Sequence, residues 1–286
     1  TIVGLKVFRE ELFIFGEDRI FKISGTSSSD FVVVPVTRKI GCVDGKSIQE
    51  LGGDLIYLAP DGLRTIAGTE RIGDVELGTV SKQIQDRISD IGTDNITSTI
   101  IRSKSQYRLF FPTTAQTEIL SKGIIAVLKA NPETGTLGFE YSDLKGIKPS
   151  STDSFFISDV ETVVHGGYDG YVYKQESGGV FTRASDTETI RGFYRSPDMP
   201  LGDPGIRKSM QRALVNYKVN EAIDTTNQTF RLRYNFDDTN TPQPNAYSFS
   251  SAQVAAFYNS GVYGTSAYGS SGFPLERVSV EGSGFV

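Results

Sequence analysis

Residues 54–69 have the sequence DLIYLAPDGLRTIAGT, in which two apolar runs flank a tight turn. The first run, Leu55–Leu58, is continuous, as in a buried strand. In the turn Pro60-Asp61-Gly62, Asp-Gly supplies the positive φ of a short hairpin at little steric cost. In the second run, apolar positions alternate with others. The stretch therefore predicts a β-hairpin with a buried first strand.

The same pattern occurs twice more, each time with an aspartate in the turn. The upstream turn contains Asp18, and the downstream turn contains Asp169-Gly170. The three turns are 43 and 108 positions apart, and the longer distance is two steps of about 54. Hairpins that repeat at this spacing are typical of β-propeller blades. A fourth hairpin is expected near residue 114, where the Asp-Gly turn is lacking.

The composition restricts the class of protein. The chain has 286 residues, 30 of them glycine, and an all-β repeat fold of this length can be a single domain. A net charge of −5 argues against a broad basic face that grips nucleic acid. One cysteine excludes an intramolecular disulfide and argues against a Cys-based zinc site. No apolar run approaches the length of a membrane span. Both termini lie in strand-like sequence, so we expect a part of a longer chain.

A short helix is predicted in a connection of the first part of the chain. Four apolar residues recur there at helical spacing, namely Val80, Ile84, Ile88 and Ile91. Thr79 is the expected N-cap, and the helix is expected to cover one face of a blade. Upstream, the β-branched run Phe31–Val36 predicts a buried strand.

The sequence changes character near residue 191. Residues 213–219 and 230–236 alternate between apolar and polar, which predicts two strands with one buried face each. Residues 238–272 are rich in Ser, Asn, Gly and Tyr, and predict an extended surface arm. Residues 277–281 predict a last strand.

The predicted fold is therefore all-β. We expect β-propeller blades of repeated hairpins in residues 1–190, with one short helix in a connection. We expect an additional antiparallel β layer in residues 191–286.

The sequence contains no catalytic signature, and we predict no enzyme, cofactor or metal site. The one histidine, His165, is expected to be packed or solvent-facing on a strand, and Cys42 to be a small core residue. The repeated aspartates could form a carboxylate pair for glycoside cleavage, but Asp also stabilises turns through its own backbone. We therefore assign a structural role to the turn residues Asp18, Asp61, Gly62, Asp169 and Gly170. Sialic-acid-cleaving propellers have a turn motif that ends in tryptophan, which this chain lacks.

Three basic residues could lie together on the open face of the two alternating strands, namely Lys218, Arg231 and Arg233. A solvated face explains such a stripe. The functional alternative is a contact to an acidic neighbouring subunit or to passing nucleic acid.

Several short motifs occur in a characteristic order: Ser47-Ile48, Leu55–Gly62, the helix at 80–91, Gly167–Tyr173, Tyr194–Pro197, Leu201–Pro204, Arg207-Lys208 and Arg277–Gly284. This order resembles the propeller region of tail nozzle or hub proteins of short-tailed bacteriophages, over most of residues 10–284. That family typically has a tryptophan in the loop before the closing strand, where this chain has Tyr258, Tyr263 and Tyr268.

The resemblance implies a structural protein of the virion. Several copies, six by family resemblance, would form a ring below the portal and adaptor, and the genomic DNA would leave through the bore. The implied partners are other copies, adaptor and tail-fibre proteins, and double-stranded DNA that passes without sequence-specific binding. A negative wall suits this function because it does not hold phosphates by counterion release. The arm residues Tyr247, Tyr258, Tyr263 and Tyr268 are candidates for contacts between subunits.

Two alternatives remain open from the sequence. The first is a carbohydrate-binding or carbohydrate-cleaving propeller, in which tyrosines of 247–268 stack on sugar rings. Cleavage would require Asp61 and Asp169 to converge in one pocket. The second alternative is a scaffold propeller of the bacterial envelope.

Overall fold

The computed structural model describes residues 1–67, 79–89, 91, 95–111, 121–130, 135–178, 180–182, 187–190, 192–200, 202–203, 209–218, 226–234, 237, 239–240, 242–251 and 275–285. Strands make up 51% of the structure, and the described part of the chain has one short helix, α1 (Gln85–Ser89). The chain divides into two compact units, Thr1–Arg191 and Gly192–Val286. The strand pairs in the described part of the chain are antiparallel. The predominance of strands confirms the all-β prediction.

The described residues of the first unit form five sheets, each made of strands that follow one another in the chain. Sheet 1 comprises β1 (Ile2–Phe8), β2 (Glu11–Gly16), β3 (Ile20–Ser24) and β4 (Val32–Thr37). Sheet 2 comprises β5 (Gln49–Leu51), β6 (Asp54–Ala59) and β7 (Gly62–Thr65). Sheet 3 comprises β8 (Thr97–Ile101), β9 (Gln106–Phe110), β10 (Lys122–Ala130) and β11 (Leu137–Lys145). Sheet 4 comprises β12 (Pro149–Ile157), β13 (Val160–Gly167) and β14 (Val172–Lys174). Sheet 5 is the hairpin β15 (Val180–Thr182) and β16 (Thr187–Thr189).

Strand β6 is buried on both faces, which explains its continuous apolar run. Leu55, Tyr57 and Ala59 point to one side, into a core shared with sheet 1. Ile56 and Leu58 point to the other side, into a core shared with sheet 3. Sheet 2 thus lies between two sheets, and both of its faces are covered by apolar side chains.

Two clusters of buried residues fill these interfaces. The core between sheets 1 and 2 contains Phe8, Phe13, Phe15, Ile20, Cys42, Ile48, Leu55, Tyr57, Ala59 and Ile66. The core between sheets 2 and 3 contains Leu51, Ile56, Leu58, Leu63, Ile88, Ile96, Ile100, Tyr107, Leu109, Phe111, Ile124 and Ala126. Because Ile88 belongs to the second core, helix α1 covers part of it, as the helical spacing predicted.

The three hairpins with aspartate in the turn are β2–β3, β6–β7 and β13–β14. Strands β9 and β10 form the hairpin expected near residue 114, and its connection, 112–120, lies outside the described residues. No sheet in the described part of the chain closes or curls, so the β-propeller stays a prediction.

Two local predictions for the first unit are wrong. The run Phe31–Val36 does form a strand, β4, but Phe31, Val32 and Val33 are each 58% exposed. The reason is that β4 is an edge strand of sheet 1. Thr79 is not an N-cap, because it forms a β-bridge with Arg64, and the helical segment begins later with a 3-10 turn.

Two strand pairs are present in the part of the second unit that the structure describes. Strand β17 (Ser209–Lys218) pairs with β20 (Leu275–Phe285), and β18 (Thr226–Phe230) pairs with β19 (Tyr247–Ser251). Strand β19 lies in the region predicted as an arm without regular structure, so that prediction is wrong for its five residues.

The strand predicted at 230–236 is also wrong, because β18 ends at Phe230. The backbone of Tyr234 bonds to a side chain instead of a strand. Its amide donates to Gln243 Oε1 (2.8 Å), and its carbonyl accepts from Gln243 Nε2 (2.9 Å). Tyr234 is therefore buried within an irregular segment and not on an alternating strand.

Candidate binding pocket

The predicted turn aspartates lie in hairpins of three different sheets, and each bonds within its own hairpin. Asp18 pairs with the adjacent Arg19 (2.6 Å). Asp61 accepts from Arg64 Nη2 (2.7 Å), and the Arg64 side chain is fully buried. Asp169 accepts from the Tyr173 hydroxyl. The structure therefore does not bring these carboxylates together as a pair.

The two turn glycines adopt positive φ angles. Gly62 has a φ of 136° and Gly170 a φ of 86°, in the region that favours glycine. The turn chemistry that the sequence pattern indicates is thus present at both positions.

The candidate contact residues of the second unit are spread over several elements. Lys218 is the last residue of β17, whereas Arg231 and Arg233 follow β18, which belongs to a different sheet. Arg233 Nε lies 3.4 Å from Asp237 Oδ1, which offsets part of its charge. Tyr247 begins β19 and is 36% exposed. The other three arm tyrosines, Tyr258, Tyr263 and Tyr268, lie outside the described residues.

Cys42 belongs to the core between sheets 1 and 2, as predicted. Burial raises the pKa of its thiol to about 11, although hydrogen bonds with Ser47 and Asp44 act in the opposite direction. A neutral, buried thiol is a structural group, not a nucleophile.

The first unit contains a pocket of about 320 Å³ beside sheet 4. Its walls come from the segment 146–148, from β13 and β14, from the residues after β14, and from sheet 5. The lining residues include Ile147, Lys148, His165, Val172, Tyr173, Gln175, Glu176, Val180, Phe181 and Ile190. This volume lies at the lower end of the range of small-molecule sites.

An aromatic pair forms one wall of the pocket. His165 on β13 is directly opposite Tyr173 on β14, and their rings stack with centroids 5.3 Å apart and planes 25° apart. Burial lowers the pKa of His165, and the nearby Asp169 carboxylate opposes this shift. The imidazole is therefore neutral at pH 7. Its buried Nδ1 has no hydrogen-bond partner in the part of the chain that the structure describes.

Gln175 supplies a second polar group and is only 5% exposed. Its Oε1 accepts from Arg108 Nη1 at 3.0 Å. Because a guanidinium can only donate, this contact fixes which end of the amide faces Arg108. The other end, Nε2, has no partner among the described residues. Gln175 thus lines the pocket, while the donor end of its amide is buried in the protein.

A charged network holds Gln175 in place. Arg108 also pairs with Glu176 and donates to Gln106 Oε1 at 3.0 Å, and Lys104 pairs with the same glutamate. Burial acts to raise the pKa of Glu176, but the hydrogen bonds and charges of Lys104 and Arg108 together lower it below its usual value. The carboxylate is ionised and its charge is balanced by two cations.

Gly146 and Phe181 also line the pocket and lie close together. Gly146 has a φ of 85°, and a Cβ at this position would lie 3.0 Å from the Phe181 ring. A glycine is therefore needed here for two reasons, its backbone conformation and the approach of the ring.

Sequence reasoning identified His165 and the Asp169 turn but not the pocket. Arg108 and Gln175 are 67 positions apart, and neither belongs to a motif.

No protein-family model matches the chain, and no curated protein matches it significantly. Among the described residues, no group of three or more His, Cys, Asp or Glu side chains is placed to hold a metal ion. No helix in the described part of the chain has the length and apolarity needed to span a membrane.

Proposed function

We propose that the protein is a structural subunit of the tail nozzle or hub of a short-tailed bacteriophage, in which several copies form a ring around the path of the DNA. The motif order that resembles this family supports the proposal. The structural observation that carries it is one exposed, fully apolar face of sheet 1.

This outer face of sheet 1 is opposite the face that packs on sheet 2. It consists of two rows of residues in cross-strand register. The rows are Val7, Leu12, Ile23 and Val33, and Leu5, Ile14, Phe21 and Pro35. Leu5 is 60% exposed, Val7 68% and Val33 58%, and the side chains of the two central strands are half-buried.

Such a face favours a protein partner. Soluble monomers rarely expose a contiguous apolar surface of this kind. The equivalent faces of sheets 2 and 3 are covered by a neighbouring sheet, so the fitting partner is another β-sheet. Sheet 4 exposes apolar side chains of its own, among them Phe155 (40%), Ile157 (55%) and Val160 (64%). We propose that sheet 4 of one copy packs on sheet 1 of the next, since a head-to-tail contact of this type generates a ring when the rotation closes.

The proposed β-propeller rests on the sheets themselves. Sheets 1 to 4 each consist of consecutive antiparallel strands with three or four members, as propeller blades do. Sheets 1, 2 and 3 stack through apolar cores, and sheet 4 joins sheet 3 through hydrogen bonds such as Thr152 Oγ1 to the Ser98 carbonyl (3.0 Å).

The remaining parts of the proposal follow from the family resemblance. The partners are adaptor and tail-fibre proteins, and the location is the virion. A net charge of −5 suits a wall past which DNA slides without being held.

Carbohydrate cleavage is the competing function, and the geometry favours it less. Glycoside hydrolysis needs two carboxylates on either side of one bond. Asp61 and Asp169 instead bond to Arg64 and Tyr173 within their own hairpins.

The test is the native mass of the protein by light scattering. We expect a multi-copy assembly for the wild type. Val7→Lys places a charge on the outer face of sheet 1 and should release monomers with an unchanged circular dichroism spectrum. The matched control Ser28→Lys adds the same charge on an exposed loop and should leave the assembly intact. A wild type that is monomeric at all concentrations would refute the proposal, and an assembled Val7→Lys variant would refute the interface.

A further inference from the structure

Strand β4 is an edge of sheet 1 with exposed apolar side chains on both of its faces. It pairs with β3 on one side, and no strand of the described residues pairs with its other side. Val33 lies on the outer face and is 58% exposed, whereas Val32 (58%) and Val34 (37%) point to the opposite face. A sheet that packs on the outer face leaves Val32 and Val34 uncovered. A strand that is added at the edge extends both faces, so strand addition is the contact that fits.

The side chains of this edge do not oppose pairing with another strand. Edge strands are commonly protected by charged side chains, and residues 31–37 contain none. Their one protecting residue is Pro35, which has no backbone N–H. Whether Pro35 blocks an added strand depends on which way the backbone of β4 points.

The backbone groups of Val33 and Pro35 point to the open side of β4. In the turn between β2 and β3, the Gly16 amide donates to the Arg19 carbonyl (2.8 Å), which marks a hydrogen-bonded pair. Such pairs alternate along an antiparallel ladder, so the registers of sheet 1 assign the bonds between β3 and β4 to the two inner-face valines. The open side therefore offers the N–H and C=O of Val33, but only the C=O of Pro35.

We propose that β4 pairs with β4 of a second copy, in an antiparallel ladder centred on Val33. In this register the two Val33 residues face each other, and each donates its N–H to the other's C=O. Phe31, which precedes β4, faces Pro35 of the other copy and donates to its C=O. Pro35 only has to accept, so its missing N–H does not prevent the ladder. The facing side chains from 31 to 35 are all apolar, and no like charges meet.

The two neighbouring registers fit less well. A ladder centred on Val34 places Pro35 opposite Val33, whose carbonyl then has no donor. A ladder centred one residue before Val33 places Pro35 opposite Ser29, which lies in a turn and not in an extended segment. The register centred on Val33 is therefore the one in which both copies use the extended part of β4.

The contact is closed and weak. Because both copies use the same patch, the pair leaves no β4 edge free, and the contact does not continue into a fibre. A ladder of this length buries much less than a standard interface of about 1,600 Å², so we expect a dissociation constant of about 0.1–1 mM. At micromolar concentrations the edge contact alone therefore leaves the copies separate. It is independent of the proposed ring, which uses the outer face of sheet 1.

Disulfide cross-linking tests the contact and its register, in the Val7→Lys background so that the ring contact does not contribute. In the proposed ladder, residue 32 faces residue 34 of the other copy, with Cα atoms about 4.5 Å apart, within the range of a disulfide. Two residues 32 are offset and lie about 7–8 Å apart. A mixture of Val32→Cys and Val34→Cys, oxidised near the expected dissociation constant, should therefore cross-link about tenfold faster than either variant alone. The buried Cys42 should not react.

The control Ser28→Cys, on an exposed loop, measures the rate of random collisions. Cross-linking of the mixture at no more than this rate would overturn the proposal and leave the edge to a strand of another protein. Faster cross-linking of Val32→Cys or Val34→Cys alone than of the mixture would overturn it as well, because each belongs to another register.

A change at Val33 tests the backbone bonds. Val33→Pro removes an N–H that points away from β3, so the melting temperature should change little while cross-linking of the mixture falls about tenfold. The matched control Val33→Thr keeps the N–H and the β-branched shape, and should cross-link as the mixture with Val33 does. Equal cross-linking rates with Val33→Pro and Val33→Thr would overturn the proposed ladder.

Discussion

Because sheet 2 packs on sheet 1, substitution of Leu55, which is fully buried on β6, should be strongly destabilising. Replacing a buried leucine by alanine removes its transfer free energy and leaves a cavity, which together cost about 2–5 kcal/mol of unfolding free energy. The matched control is Leu5→Ala on the outer face of sheet 1. Leu5 is 60% exposed, so the same substitution should cost at most about 1 kcal/mol in the monomer.

Urea unfolding, followed by tyrosine fluorescence because the chain has no tryptophan, measures both costs. For a unit of this size, the Leu55→Ala variant should also melt about 5–15 °C below the wild type. The comparison is made at low protein concentration or in the Val7→Lys background, so that association does not stabilise the outer face. If Leu55→Ala cost no more than Leu5→Ala, the core between sheets 1 and 2 would be refuted.

Three further predictions concern titratable groups. Burial opposes ionisation of Glu161, but hydrogen bonds from Ser103, Ser154 and the Arg102 amide lower its pKa to about 2. This contribution to stability is therefore present above the unfolded pKa and is lost as the pH falls from about 4.5 to 2. Glu161→Gln should flatten that part of a urea-unfolding pH profile, and an unchanged profile would contradict the contacts. His165 has a lowered pKa, mainly through burial, so protonation favours the unfolded chain and stability should decrease as the pH falls below 6.5. The only imidazole NMR signal should titrate below that value, and titration at or above 6.5 would contradict its burial. The buried Cys42 thiol, with a pKa of about 11, should react with a thiol reagent only after unfolding. Rapid labelling of the native protein would contradict its place in the core.

The sequence predicts the hairpins because their causes are local. The continuous apolar run of β6 specifies a buried strand, and the glycine after Asp61 specifies a tight turn. Both features depend little on residues that are distant in the sequence. The helical spacing of Ile88 and its neighbours likewise specifies an amphipathic segment, and the structure places Ile88 in a core.

Burial depends on neighbours that the sequence does not reveal. The β-branched residues of β4 have strand propensity, but whether they are buried depends on which sheet covers them. The strand prediction made from the alternation at 230–236 is wrong for a related reason. The Gln243 side chain forms hydrogen bonds with the backbone amide and carbonyl of Tyr234, and these bonds compete with strand pairing.

The candidate pocket could not be predicted from the sequence at all. Gln175 matters because Arg108 binds one end of its amide, and these two residues meet only through the packing of sheet 4 beside sheet 3. A buried amide with an unused donor becomes visible only when every hydrogen-bond partner is known.

The native mass of the wild-type protein tests the central claim most directly, measured by light scattering and followed by particle imaging. The proposed function predicts a multi-copy ring with an axial opening wide enough for a DNA duplex, and Val7→Lys should dissociate it. A stable monomer over the whole concentration range, with the outer face of sheet 1 still exposed, would contradict the proposal.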